Sequence, residues 1–114
     1  MSRAALLIAI ALVGVLSLVT VFGGVATARS TTVQVGDNFF SPDNKTVKKG
    51  TKVKFKWVGN NDHNVVKSSG PGGSFSSPTT DARGVNFKKK FKKKGTYKLI
   101  CTIHNGMDMK LKVN

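Results

Sequence analysis

Lys52-Val53-Lys54-Phe55-Lys56-Trp57 decides the fold class. Apolar side chains take every second position and lysines the positions between. Successive side chains of an extended chain point to opposite faces, so Val53, Phe55 and Trp57 share one face and the three lysines the other. This is a strand with one face on a core and one in water, as in an antiparallel sheet. Working outward, Lys110-Leu111-Lys112-Val113 repeats the pattern, and Tyr97-Lys98-Leu99-Ile100-Cys101 places Tyr97, Leu99 and Cys101 on one face. Thr32-Val33-Gln34-Val35 is a shorter example, and Val47, Val65, Val66, Val85, Phe87 and Phe91 mark further strands. Turn residues separate them: Ser41-Pro42-Asp43-Asn44, Lys49-Gly50, Gly59-Asn60-Asn61-Asp62 and Lys94-Gly95. Residues 68–81 read as one long loop. No stretch after residue 28 has helical periodicity, so many short strands imply a small all-β sandwich or barrel.

The chain has 114 residues and one cysteine. One cysteine excludes an intramolecular disulfide, an all-cysteine zinc site and an iron–sulfur cluster. Nineteen Lys and Arg against five Asp and Glu give a net charge of +14. All five acids are Asp. Such a charge points to acidic partners or anionic surfaces, or serves solubility.

Residues 1–28 have a different character. A single charge, Arg3, precedes an uncharged apolar run from Ala4 to about Val25, which ends in Ala26-Thr27-Ala28. This is the pattern of a secretory signal peptide cleaved after Ala28. The run is also long enough to serve as an uncleaved anchor, which would give membrane association through residues 4–25. Either reading exports residues 29–114 as one domain, periplasmic or extracellular.

Chemistry concentrates in Cys101-Thr102-Ile103-His104-Asn105-Gly106-Met107. A thiol is followed three residues later by an imidazole and three later again by a thioether, at a strand end and in the next turn. A second imidazole, His63, lies upstream in Asp62-His63-Asn64-Val65-Val66. Two imidazoles and a thiolate in a plane, with a weak axial thioether, are the donors of a blue-copper electron-transfer site. Soft sulfur favours Cu(I) and imidazole tolerates both oxidation states. Zinc is the rival metal, but a thioether suits it poorly.

With these residues in view, the sequence resembles the cupredoxin family, its plastocyanin and amicyanin branch in particular. Asn38-Phe39-Phe40-Ser41-Pro42, Val47-Lys48-Lys49-Gly50-Thr51, His63-Asn64-Val65-Val66, Gly95-Thr96-Tyr97, Cys101 with His104, and the Val113-Asn114 ending carry the resemblance. It implies a Greek-key β-sandwich with one type 1 copper at one end. His63, Cys101 and His104 would be the equatorial ligands, and His104 the solvent-edge electron port. Asn64 would tie the two ligand loops together and donate a hydrogen bond to the Cys101 sulfur. For the axial ligand both Met107 and Met109 are open, at the amicyanin-like and plastocyanin-like spacings. Met107 is preferred. Met109 shares parity with Leu111 and Val113 and so reads as core, and Met107 stands at the ligand's distance from the closing Val-Asn.

Phe87-Lys88-Lys89-Lys90-Phe91-Lys92-Lys93-Lys94 reads in isolation as a nucleic-acid patch, but export and the absence of Arg argue against nucleic acid. A lysine-protected strand edge is the plainer reading, and steering of an acidic redox partner the other. Lys89 has the parity of Phe87 and Phe91 and should face inward unless a bulge or a rim position lets it snorkel out. Trp57 reads as core. The expectation is therefore a monomeric exported blue copper protein, not an enzyme, carrying single electrons between redox proteins with an acidic docking surface. The alternative is a copper-sequestering protein without a redox partner.

Overall fold

The computed structural model describes residues 29–114. The expectations for residues 1–28, cleaved signal or anchor, lie outside the described residues.

Eight strands follow one another: β1 (Ser30–Gly36), β2 (Phe39–Ser41), β3 (Asn44–Val47), β4 (Thr51–Trp57), β5 (Val66–Ser69), β6 (Gly84–Phe91), β7 (Gly95–Ile100) and β8 (Asp108–Val113). They form two four-stranded sheets, ordered β2-β1-β4-β6 and β3-β8-β7-β5. Pairing is mostly antiparallel, with β1 parallel to β4 and β3 parallel to β8. Among the described residues there is no helix. The expected all-β sandwich is what forms.

Alternation along β4 sets the layer order. Thr51, Val53, Phe55 and Trp57 are buried, while Lys52 and Lys56 are exposed and Lys54 is half-buried. In β8, Met109, Leu111 and Val113 are buried while Asp108, Lys110 and Lys112 face water. The two inner faces meet in one core that includes Val33, Phe40, Phe55, Phe91, Tyr97, Leu99 and Leu111. Each large apolar side chain fully withdrawn from water contributes roughly 1.5–3 kcal/mol before conformational entropy is counted. Trp57 is core as expected. Its indole N–H donates to the Thr80 carbonyl at 2.9 Å, which seats the returning end of the long loop against β4.

Three local readings change. Val65 is buried but lies in the loop ahead of β5, because Val65 N–H pairs with Ser77 Oγ at 2.7 Å rather than with a strand. The long loop begins after Ser69, two residues later than expected. Lys92 falls in the β6–β7 turn and not on β6. The inward parity of Lys89 is real, and the bulge opposite Phe55 and Lys56 does not relieve it. Lys89 is half-buried, with its Nζ 4.9 Å from the centre of the Phe75 ring. It snorkels at the rim, where the ring's negative face attracts the ammonium.

Register gives the sandwich two distinct ends. At the loop end lie the β1–β2 turn at 37–38, the segment 58–65 that leaves Trp57, and the segment 101–107 between β7 and β8. At the turn end lie the β3–β4 turn, the β6–β7 turn and Arg29. Gly50 N–H donates to the Phe91 carbonyl there at 2.7 Å, and Lys52 N–H to the Arg29 carbonyl at 2.9 Å.

Candidate metal centre

The loop end gathers residues that are far apart in the chain. Cys101 follows the last residue of β7, keeps the parity of Tyr97 and Leu99, and so points inward. Its N–H donates to the Met107 carbonyl at 2.9 Å, closing segment 101–107 into a loop with Cys101 and Met107 paired at its base. Within the loop Met107 N–H reaches the His104 carbonyl at 3.3 Å. Gly106, at φ +79°, supplies the left-handed residue that turns the chain back before Met107. His63 arrives from the other sheet, fixed by paired backbone bonds to Thr80 at 3.0 and 3.1 Å.

The side chains converge. Nitrogens of His63 and His104 and the Cys101 sulfur all lie within 4.8 Å of one another. Cys101 Sγ is 3.4 Å from His104 Nδ1, and the two imidazole rings are 4.8 Å apart, tilted by 49°. His63 is fully buried and Cys101 is buried, whereas His104 keeps a partly exposed edge. Met107 is buried against a cavity of about 240 Å³ that Cys101 and His104 also line. Met109 is equally buried, but it sits within β8 opposite Leu99, in the core row with Leu111. The two methionines therefore occupy different places, Met107 in the loop and Met109 in the strand.

Asp37 is the residue that sequence reasoning missed. Its carboxylate accepts from the Asn60 N–H at 2.7 Å and the Asn61 N–H at 3.1 Å, and it meets His63 Nε2 at 2.6 Å. Gly59 passes so close to this carboxylate that a side chain there would collide with it. The Asn60 N–H bond first, and the His63 bond next, hold Asp37 below its ordinary 3.8, at about 2. An ionised carboxylate only accepts, so in the neutral imidazole Nε2 carries the proton and Nδ1 keeps its lone pair. His63 Nδ1 is buried and has no hydrogen-bond partner. A buried imidazole nitrogen with a free lone pair, beside a thiol and a second imidazole, is how a metal donor set looks. The chain's residues fit a copper ion. Nothing in the sequence signals Asp37, which is 26 positions from His63 and joins it only through the β1–β2 turn.

Asn64 does tie the loops. Its Nδ2 donates to Thr79 Oγ1 at 2.9 Å and Thr102 Oγ1 at 2.8 Å, and its Oδ1 accepts from Thr102 N–H at 2.9 Å. The expected hydrogen bond from Asn64 to the Cys101 sulfur is not formed among the described residues. Both side-chain amide hydrogens go to threonine hydroxyls instead.

A two-sheet β-sandwich with His, Cys and His donors gathered at one end defines the class of small copper-binding β-proteins. Comparison with known proteins agrees. The sequence profile of the copper binding proteins, plastocyanin/azurin family, matches residues 27–114. Plastocyanin from Dryopteris crassirhizoma is 36% identical over 94 residues, covering 68% of this chain and 92% of that protein. A reduced variant of amicyanin superposes with a TM-score of 0.67 at 24% identity, covering 80% of this chain and 87% of that one. A Cu-containing nitrite reductase from Thermus scotoductus SA-01 superposes at 0.64 with 27% identity over 75% of this chain, which spans 22% of that enzyme. The chain belongs to the plastocyanin/azurin family of copper-binding proteins, and is a cupredoxin whose cofactor is one copper ion.

Proposed function

We propose that this protein is an exported one-electron carrier between larger redox proteins. His63, Cys101, His104 and Met107 would hold the copper. The observation that carries the reading is the buried, unpartnered Nδ1 of His63, on a ring whose nitrogen lies within 4.8 Å of the Cys101 and His104 donors. Copper supplies a one-electron change between Cu(II) and Cu(I).

The residues around it do the rest. Asp37 and Asn64 hold the two ligand loops before any metal arrives, so little has to rearrange when charge changes. His104 brings its partly exposed edge to the surface beside the exposed Ile103, leaving a short path between a partner and the sulfur. Four protein donors leave no open position for substrate, which supports a carrier rather than an enzyme.

The test is spectroscopic. Cu(II) should bind one per chain and give an intense thiolate-to-copper band in the visible, which Cys101→Ser abolishes. A Cys101→Ser variant that stays intensely blue overturns the ligand assignment. Rapid electron exchange with a redox protein of the same source distinguishes a carrier from a copper store.

A further inference from the structure

Charge in this molecule is sorted along its length. Of the five acids, Asp37 and Asp62 lie in loop-end segments, Asp108 opens β8 beside segment 101–107, and Asp81 follows Thr80, the backbone partner of His63. The fifth, Asp43, is further from the centre and accepts a backbone bond from Lys110. Arg83 is the loop end's arginine, bonded to Asn60 Oδ1 at 3.0 Å.

The turn end is the opposite. Lys48 and Lys49 form the β3–β4 turn, and Lys92, Lys93 and Lys94 the β6–β7 turn. Arg29, Lys52, Lys90 and Lys112 stand beside them on the strand ends. Every one of these cations is exposed, and among the described residues none is paired with a carboxylate. Lys52 faces Lys90, and Lys54 faces Lys88, directly across β4 and β6. Like charges in that position oppose folding. A concentration of cations that works against the fold and pairs with no aspartate within it fits an outside anion.

The route of the chain says which anion. The apolar run 4–25 is joined to the sandwich at Arg29, on this same end, where Arg29 shares a hollow with Lys52, Lys54 and Lys88. Residues 26–28 can span only about 10 Å when fully extended. That is about one Debye length at 0.1 M salt. With the run seated in a bilayer, the cationic end is therefore held within electrostatic range of the headgroups, and clustered lysines beside a membrane segment are attracted to anionic lipid.

We infer that the lysine-rich end of the sandwich, built from the β3–β4 and β6–β7 turns around Arg29, docks on anionic phospholipid headgroups and holds the His63–Cys101–His104 end away from the membrane. The inference rests on the run 4–25 being retained as an anchor rather than cleaved after Ala28, and does not depend on which metal the site holds. It leaves the electron-exchanging surface free, since the strands place it at the opposite end.

The test uses the full chain reconstituted into phosphatidylcholine vesicles with and without phosphatidylglycerol. A soluble acetylating reagent is applied, and modification is read lysine by lysine by mass spectrometry. In low salt, Lys48, Lys49 and Lys92 to Lys94 should react several-fold more slowly on the phosphatidylglycerol vesicles. Lys98, which lies nearer the middle of β7, should react alike on both. Protection should vanish in high salt, where the Debye length contracts to about 3 Å at 1 M. In the triple variant Lys92→Gln, Lys93→Gln, Lys94→Gln, protection of Lys48 and Lys49 should weaken. Equal rates on both vesicles in low salt would overturn the inference. Protection that arises only on adding an acidic protein would also overturn it, and would assign the surface to a protein partner.

Discussion

Replacing Asn64 by Ala should cost this protein much of its stability even without copper. Asn64 is 5% exposed and makes three hydrogen bonds across two loops and the segment at Thr79. Thr79 and Thr102 are exposed, so their hydroxyls regain water when the amide is removed, at about 0.5 kcal/mol each. The Thr102 N–H loses an acceptor inside the loop junction, at about 1–1.5 kcal/mol. The sum is about 2–2.5 kcal/mol. In a domain of this size each kcal/mol moves Tm by roughly 4–8 °C, so a fall of about 10–15 °C is expected. Urea unfolding of the metal-free protein should show the midpoint falling by about 2 M, for an m-value of about 1 kcal/mol/M that does not itself change. A double-mutant cycle with Thr102→Val isolates the contact, and the Asn64–Thr102 pair should couple by at least about 0.5 kcal/mol. A loss below about 0.5 kcal/mol for Asn64→Ala would refute the reasoning. It would mean that the backbone bonds from His63 to Thr80 and from Cys101 to Met107 hold the loops unaided.

Met107→Leu should keep copper bound and raise the reduction potential, since loss of a weak axial donor destabilises Cu(II) more than Cu(I). Met109→Leu, a volume-conserving core swap costing under about 1.5 kcal/mol, should leave the potential nearly unchanged. Voltammetry of the two variants decides which methionine is axial. Asp37 is lowered from 3.8 to about 2 by the fold, so its contribution to stability is complete above 3.8 and is lost as pH falls towards 2. Asp37→Asn should therefore flatten the stability–pH curve between about pH 4 and 2, measured as the urea midpoint of the metal-free protein at each pH.

How much of this was legible in the sequence follows from the range of the interactions. Strand periodicity is local, because alternate side chains in an extended chain must face opposite ways. Val53, Phe55 and Trp57 therefore announced a one-sided strand on their own, and Leu111 and Val113 another. The cysteine, histidine and methionine of segment 101–107 were legible for the same reason, since they share one turn and one chemistry. Met107 and Met109 have the same parity, so it is the start of β8 at Asp108 that puts Met109 in the strand and Met107 in the loop before it.

Contacts between segments were not legible. Asp37 meets His63 because β1 pairs with both β2 and β4, which brings the 37–38 turn against the segment leaving Trp57. Whether Asn64 spends its amide on threonine hydroxyls or on sulfur depends on ångström differences between two loops, and Thr79 arrives only when the long loop returns. Lys89 could be seen to face inward, but the ring of Phe75 that receives its ammonium comes from that same loop. The count of lysines was plain from composition, while their gathering at the end opposite the metal donors was not. Strand order decides which turns are neighbours, and strand order is a property of the folded chain.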